Sequence, residues 1–299
     1  MAVKNITASV LAKLRNQAKA EGITHQMGLQ LFFQEEFLRK LFHSQYRENM
    51  ILKGGMFIYT LTDFDSRPTR DMDFMIRRMS RDMQNMRSTI QQICETDTGN
   101  DYITIEVSET EQISLEKKYP GVRVKLIGRI SNVRVPLSID IGIDDVIVPE
   151  PVPRKITTRL DGFEAPEIYT YSLESTIAEK LDIILDRMEN TTRMKDFFDI
   201  YYISSIFDFD GTTLCNAIKS TLDHRNRNPD DDIFERIKEF PNKAFFATLW
   251  NNFQPAKESG IEFSVVINRL IEFLEPIYVS LKHGEAFNKT WKCEKAKWI

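Results

Sequence analysis

Cysteine is nearly absent from this chain: three residues in 299, at Cys94, Cys215 and Cys293, with no CxxC spacing. So odd and scattered a set argues against a disulfide framework and a thiolate zinc site, and points to a reducing cytoplasm. Histidine is as scarce, with four scattered residues, so a histidine-held metal is not expected. No apolar run approaches the ~18 residues that a membrane span needs. The N-terminal stretch lacks a continuous apolar segment and a small-residue cleavage site, so it reads as an amphipathic helix and not as a signal peptide. Basic excess is missing too. A net charge of −4 argues against a general polyanion binder. Internal repeats and low-complexity tracts are not found.

What is present is an ordinary globular composition, 42% hydrophobic and 28% charged, with 20 Phe and 9 Tyr to fill a core. The length suggests about two domains. Apolar residues at helical spacing predict helices over 6–20 and 26–47, the second carrying Leu29, Phe32, Phe33, Phe37 and Leu41. A short strand at Met50-Ile51-Leu52 runs into a Gly54-Gly55 turn and a short helix over 56–62. A strand over 72–76 and a helix over 80–97 follow. Alternating β-branched strings (ITIEV, QISLE, VRVKLIG, VRVPLSIDIGI) fill 102–147 and predict a mostly antiparallel stretch. Prolines 149, 151, 153 and 166 make 148–170 read as a linker with one extended piece. From Tyr171 the chain reads as helical to its end, over 173–188, 194–206, 212–223, 231–239, 243–252 and 262–281. The class expected is α+β: a mixed-sheet core with N-terminal helices over 1–165, then a helical domain over 166–299.

The chemistry-bearing string is Arg67-Pro68-Thr69-Arg70-Asp71-Met72-Asp73-Phe74. Strand side chains alternate faces, so Asp71 and Asp73 share one face, about 7 Å apart along the backbone. Such a pair repels itself unless a cation lies between, and hard oxygen ligands favour Mg²⁺ or Mn²⁺. An isolated DxD is usually surface solvation. A second string, Val133 to Ile143, has aliphatic odd positions. Its even positions, Arg134, Pro136, Ser138, Asp140 and Gly142, form the other face. A neighbouring strand could thus bring Asp140 beside the pair, although an exposed strand-end acid is an equal reading. Asp144 and Asp145 are adequately explained by a strand-end turn. The Gly54-Gly55 turn lets a ligand approach the backbone, and the helix start after it favours an anion such as phosphate. It is neither a P-loop nor a dinucleotide fingerprint. Asp208 to Thr212 resembles the start of a calcium loop, but the twelfth position is Lys219 where a bidentate glutamate is required.

On the helix from 173, Glu174, Ile177, Leu181, Ile184, Leu185 and Met188 share a stripe that Lys180 flanks. A lysine there ordinarily lays its stem on the core edge and keeps its head in water. Asp196 and Asp199 share a face with core residues, so they need a partner, a ligand or a capping role. Arg123, Lys125, Arg129 and Arg134 cluster, and Arg154, Lys155 and Arg159 follow. This is either a solvated sheet face or a local anion site.

Taken in order, these strings resemble the AbiEii/AbiGii toxin family of nucleotidyltransferases, within the DNA polymerase β-like superfamily. The residues that carry the resemblance are Lys53-Gly54-Gly55, then Arg67-x-Thr69-x-Asp71-x-Asp73-Phe74. Downstream are Glu174 with Glu179-Lys180-Leu181, and Arg193-x-Lys195-Asp196-Phe197-Phe198-Asp199-Ile200-Tyr201. Phe198 stands where the family's motif has tyrosine. The resemblance spans roughly residues 30–210 and implies NMP transfer from an NTP to an acceptor hydroxyl. Asp71, Asp73 and Asp140 would hold Mg²⁺ or Mn²⁺. Gly54, Gly55, Arg67, Thr69, Lys180 and Asp199 would bind the nucleotide, and Asp196 or Asp199 would orient a catalytic Lys180. It also implies a toxin of a toxin–antitoxin or abortive-infection system, with the tRNA 3′ end as acceptor and a winged-helix antitoxin as partner. A protein or small-molecule acceptor such as an antibiotic, and a non-catalytic nucleotide-binding role, are the alternatives.

Overall fold

The computed structural model describes residues 6–80, 82–113, 121–143, 146–228 and 232–299. Among them no helix is long and apolar enough to cross a membrane. The contacts divide the chain into two units. One runs from the N-terminal helices through the long strands and resumes over Pro151–Tyr171. The other comprises Val146–Glu150 and Ser172–Ile299.

The first unit opens with α1 (Ile6–Ala20) and α2 (His25–His43), followed by β1 (Met50–Lys53), α3 (Gly54–Leu61), β2 (Asp71–Ile76) and α4 (Met83–Glu95). Three long strands come next, β3 (Ile103–Ile113), β4 (Gly121–Ile130) and β5 (Val133–Gly142), then β6 (Val152–Lys155) and β7 (Glu167–Thr170). They form one seven-stranded mixed sheet in the order β3-β4-β5-β2-β1-β7-β6. β2 pairs parallel with β5 and antiparallel with β1. The alternation expected of β5 is observed: Val135, Leu137, Ile139 and Ile141 are buried, and the positions between them are half-buried or exposed. Of the QISLE string, Gln112 and Ile113 end β3. The remainder, with Asp144 and Asp145, lies outside the described residues.

The stretch expected to be a linker behaves otherwise. β6 and β7 join the sheet, with β7 parallel to β1 and β6 on the outer edge. Prolines misled the reading because an edge strand tolerates them. Residues 166–171 therefore lie with the sheet, and Val146–Glu150 with the second unit.

α2 packs on β5 and β7 and is buried along most of its length, polar residues included. Those polar groups are used. Gln34 and Gln30 donate to the Arg70 carbonyl at 2.8 and 2.7 Å, which fixes the chain just before the Asp71/Asp73 strand. Glu35 is 2% exposed. It accepts from the Arg159 amide at 3.2 Å and faces the Arg39 guanidinium at 3.8 Å. Burial outweighs both arginines and pushes its carboxyl from 4.5 up to about 7. A raised folded value means that the fold keeps a proton the unfolded chain has released. The contribution is complete at low pH and is lost as pH rises from 4.5 to about 7. At roughly 1.4 kcal/mol per pH unit it amounts to about 3 kcal/mol at most. We expect the thermal midpoint of the wild-type protein to fall across that window and that of Glu35→Gln to fall less. Parallel slopes in melts at several pH values would refute this.

The second unit contains α5 (Leu173–Arg187), α6 (Met194–Ile206), β8 (Phe209–Asp210), α7 (Gly211–His224), α8 (Ile233–Lys238), α9 (Ala244–Asn252), α10 (Gln254–Ser259), α11 (Phe263–His283), β9 (Thr290–Lys292) and β10 (Lys297–Trp298). Ser172 caps α5 by accepting from the Ser175 amide. It also donates to the Val148 carbonyl, which ties the 146–150 segment to this unit. The expectation of helix to the C-terminus fails at its end. β8, β9 and β10 make a three-stranded sheet, and Trp291 and Trp298 pack against Phe273 of α11. Both indole N–H groups reach carbonyls, of Ser204 and Phe273. Aromatic side chains with satisfied N–H groups explain why so short a sheet persists.

Candidate active site

The acidic face of the first unit follows from strand register. Asp71 lies opposite Ser138 and Asp73 opposite Asp140. Adjacent strands run about 4.8 Å apart, so Asp73 and Asp140 are direct neighbours and Asp71 is one step along the same face. Asp73 is also opposite Lys53 of β1, and Asp140 opposite Arg123 of β4. Each carboxylate is placed distinctly. Asp71 Oδ1 accepts from Ser138 Oγ at 2.6 Å. Both oxygens of Asp140 are gripped by Arg123, through Nε and Nη2, each at 2.7 Å.

The glycine turn abuts the same face. Gly54 has φ +68°, and a Cβ there would come within 2.8 Å of Asp73 Cγ. Both the left-handed backbone and the close approach require glycine. A Cβ on Gly55 would be 3.0 Å from Thr69 Oγ1 and 3.4 Å from an Arg67 Nη. α3 starts at Gly54, with Lys53 as a cap residue that supplies no side-chain acceptor, so no cap claims the first-turn amides. Thr69 Oγ1 bonds the Asp71 carbonyl at 3.3 Å. Gly54, Gly55, Arg67, Thr69, Asp71, Asp73 and Asp140 are thus brought together within one unit.

The donor set is all oxygen, which suits Mg²⁺ or Mn²⁺. In their present positions, however, no three His, Cys, Asp or Glu side chains among the described residues converge closely enough to hold a metal ion. Asp73 and Asp140 are adjacent oxygen donors, and both oxygens of Asp140 are occupied by Arg123.

The helical unit holds a separate group. Lys180 of α5 donates to Asp196 Oδ1 at 3.1 Å and Asp199 Oδ2 at 2.6 Å, both on α6. Arg193 Nε takes the other Asp196 oxygen at 2.5 Å. Lys180 is 7% exposed and the aspartates 1% and 2%, so of the two readings of Lys180 the head-in-water one does not hold: the ammonium is buried between carboxylates. Burial alone would raise the Asp196 carboxyl. Lys180 and Arg193 outweigh it and hold the group below the usual range. Glu174 is half-buried at the start of α5.

Four of the seven clustered basic residues, Arg123, Lys125, Arg129 and Arg159, face acids. Lys125 bridges Glu109 and Glu111, Arg129 faces Glu106 and Arg123 holds Asp140. Arg159 is buried against Glu21 and Tyr59. The solvated-face reading describes β4 at Lys125 and Arg129, while Arg154 donates to the Thr170 hydroxyl at 3.2 Å.

Ser138, Arg123, Lys53 and Arg193 were each visible in the sequence, but not as neighbours of Asp71, Asp140, Asp73 and Asp196. Ser138 was visible as sharing the face of Asp140. The partners of the others depend on strand register and helix packing.

A DxD strand in a mixed sheet thus lies beside a strand that carries a third aspartate, with a GG turn against them. The chain matches the family model described as "Nucleotidyl transferase AbiEii toxin, Type IV TA system" over residues 36–262. It belongs to that family of nucleotidyltransferases of type IV toxin–antitoxin systems. No curated protein matches it. Among solved structures it resembles JHP933 from Helicobacter pylori at 16% identity and a TM-score of 0.47, over 87% of this chain and 98% of that one. A second H. pylori structure, provisionally described as a nucleotidyltransferase, gives 15% and 0.44, over 86% and 99%. Likenesses so loose carry nothing about activity.

Proposed function

We propose that the chain transfers NMP from an NTP to an acceptor hydroxyl, and that the face made by β2 and β5 is its catalytic centre. The register that sets Asp73 beside Asp140, against the Gly54 turn, carries this reading. Asp71, Asp73 and Asp140 are the ligands that would hold Mg²⁺ or Mn²⁺, which when bound supplies charge neutralisation at the phosphates and activation of the acceptor hydroxyl. The first-turn amides after Gly54 and Gly55 bind phosphate oxygens, because a helix start favours an anion. Arg67, beside Gly55, neutralises the same phosphates, and Thr69 steadies the strand that carries the acids. Asp140 accepts the proton that the acceptor hydroxyl gives up.

In the helical unit we assign Asp196 and Asp199 the role of orienting a nucleotide-binding, catalytic Lys180. Their two contacts with its ammonium support this.

For the acceptor we propose the tRNA 3′ end, as the family resemblance implies, in a cytoplasmic toxin that a winged-helix antitoxin restrains. A protein or small-molecule hydroxyl is the second reading, and the acid-neutralised β4 face favours it. The test is incubation with Mg²⁺ and each α-labelled NTP in turn, offering total tRNA, protein extract or a set of aminoglycosides. Label in tRNA supports the first reading, and label only in another acceptor supports the second. No label with any NTP or acceptor would overturn the transferase assignment to this face.

A further inference from the structure

One row of side chains crosses five neighbouring strands on the acidic face: Lys53, Asp73, Asp140, Arg123 and Glu111. Two adjacent carboxylates are flanked by a cation on each side, and a third carboxylate lies beyond Arg123. Directly opposed like charges destabilise a strand pair, so the acids need cations to coexist. Arg123 answers this for Asp140 with a bidentate fork, the strongest arrangement a carboxylate finds in protein. Yet the pair is not a buried structural bridge. The Arg123 side chain is 35% exposed and that of Asp140 18%, and ion pairs at such positions add little to stability. Its importance therefore lies in what it does to Asp140.

We propose that Arg123 is the internal counter-cation of Asp140, competing with a divalent ion for that carboxylate and passing to Glu111 when the ion binds. This rests on the reading of Asp71, Asp73 and Asp140 as the metal ligands. The fork uses both Asp140 oxygens, and a guanidinium left there would repel a second cation at the same group. Glu111 is the cross-strand partner of Arg123 on its other side and is held at present by Lys125 at 3.1 Å. Lys125 has a second partner in Glu109 at 3.0 Å. Glu111 can therefore turn to Arg123 while Lys125 keeps a carboxylate. The row thus contains both a bound position and a receiving position for the guanidinium.

The test is direct Mn²⁺ binding, followed by electron paramagnetic resonance of the free ion without nucleotide. Wild type, Arg123→Gln, Glu111→Gln and Asp73→Asn are compared, with melts in EDTA to establish that each is folded. Arg123→Gln should bind Mn²⁺ about tenfold more tightly than wild type, and Glu111→Gln more weakly. If Arg123→Gln binds equally or more weakly while Asp73→Asn abolishes binding, Arg123 does not compete with the ion and the proposal is overturned, the metal face standing. If wild-type binding is absent or indifferent to Asp73→Asn, the metal-ligand reading falls and the proposal with it. An Arg123→Gln protein that does not fold in EDTA would make the pair a structural bridge and equally overturn the proposal.

Discussion

Replacing Asp73 by alanine should lower kcat/KM for NMP transfer by at least about 10³-fold, a loss of about 4 kcal/mol of transition-state stabilisation. Asp73 is the crossing point of the site. Asp140 lies opposite on one side, Lys53 on the other, and its carboxylate fills the space that a Cβ on Gly54 would need. Removing it breaks the acidic pair and opens the space that the glycine turn closes. Asp73→Asn separates these effects, because the amide keeps the shape against Gly54 and loses the charge. If charge at this position is what the reaction needs, asparagine is as inactive as alanine. Retention of a tenth of wild-type activity by Asp73→Asn would assign the residue to packing. Both proteins should melt within a few degrees of wild type, since Asp73 is only half-buried and substitutions away from the core cost little. Initial rates of label transfer and circular-dichroism melts decide the matter.

Much of this was legible in the sequence, for local reasons. The helical period announced α2, and the two-residue period announced β5 and the shared face of Asp71 and Asp73. Gly54-Gly55 announced a turn, and in the structure Asp73 excludes a Cβ at Gly54 while Thr69 crowds one at Gly55. Long-range choices were not legible. Nothing in the DMDF string reveals that β2 lies parallel to β5 with Asp73 against Asp140, because register is settled by the whole sheet. The same gap hid the acids of β3 that pair with β4, so the row of basic residues stayed open between a solvated face and an anion site. β6 and β7 were lost to prolines, and the C-terminal sheet to strands of two or three residues, too short to show a period. Lys180 beside Asp196 and Asp199 was implied by the family resemblance, not by spacing. A lysine beside an apolar stripe normally reaches water, and only the packing of α6 on α5 brings two aspartates to it.

That packing sets the second large effect. Lys180→Met should destabilise the protein by about 3–5 kcal/mol, the usual cost of leaving buried charges without their partner. Asp196 retains Arg193 at 2.5 Å, but Asp199 loses the ammonium 2.6 Å away. The pH dependence should weaken along with the loss. In the wild-type protein the depressed Asp196 carboxyl contributes stability that is present above the ordinary value of 3.8 and disappears as pH falls through the lower folded value. Without Lys180, only Arg193 opposes the burial that raises the Asp196 carboxyl, so its depression shrinks. The variant therefore loses less stability than the wild-type protein as pH falls below the ordinary carboxylate value. Adding Asp199→Asn to Lys180→Met removes one of the two carboxylates that the lysine balances and should restore part of the loss, with a coupling of about 1–3 kcal/mol in the double-mutant cycle. Urea unfolding of the four proteins at neutral pH and below the ordinary aspartate value measures all of these. Additive losses, or an equal fall in stability on acidification in wild type and Lys180→Met, would mean that the lysine and the aspartates do not act as one charge-balanced unit.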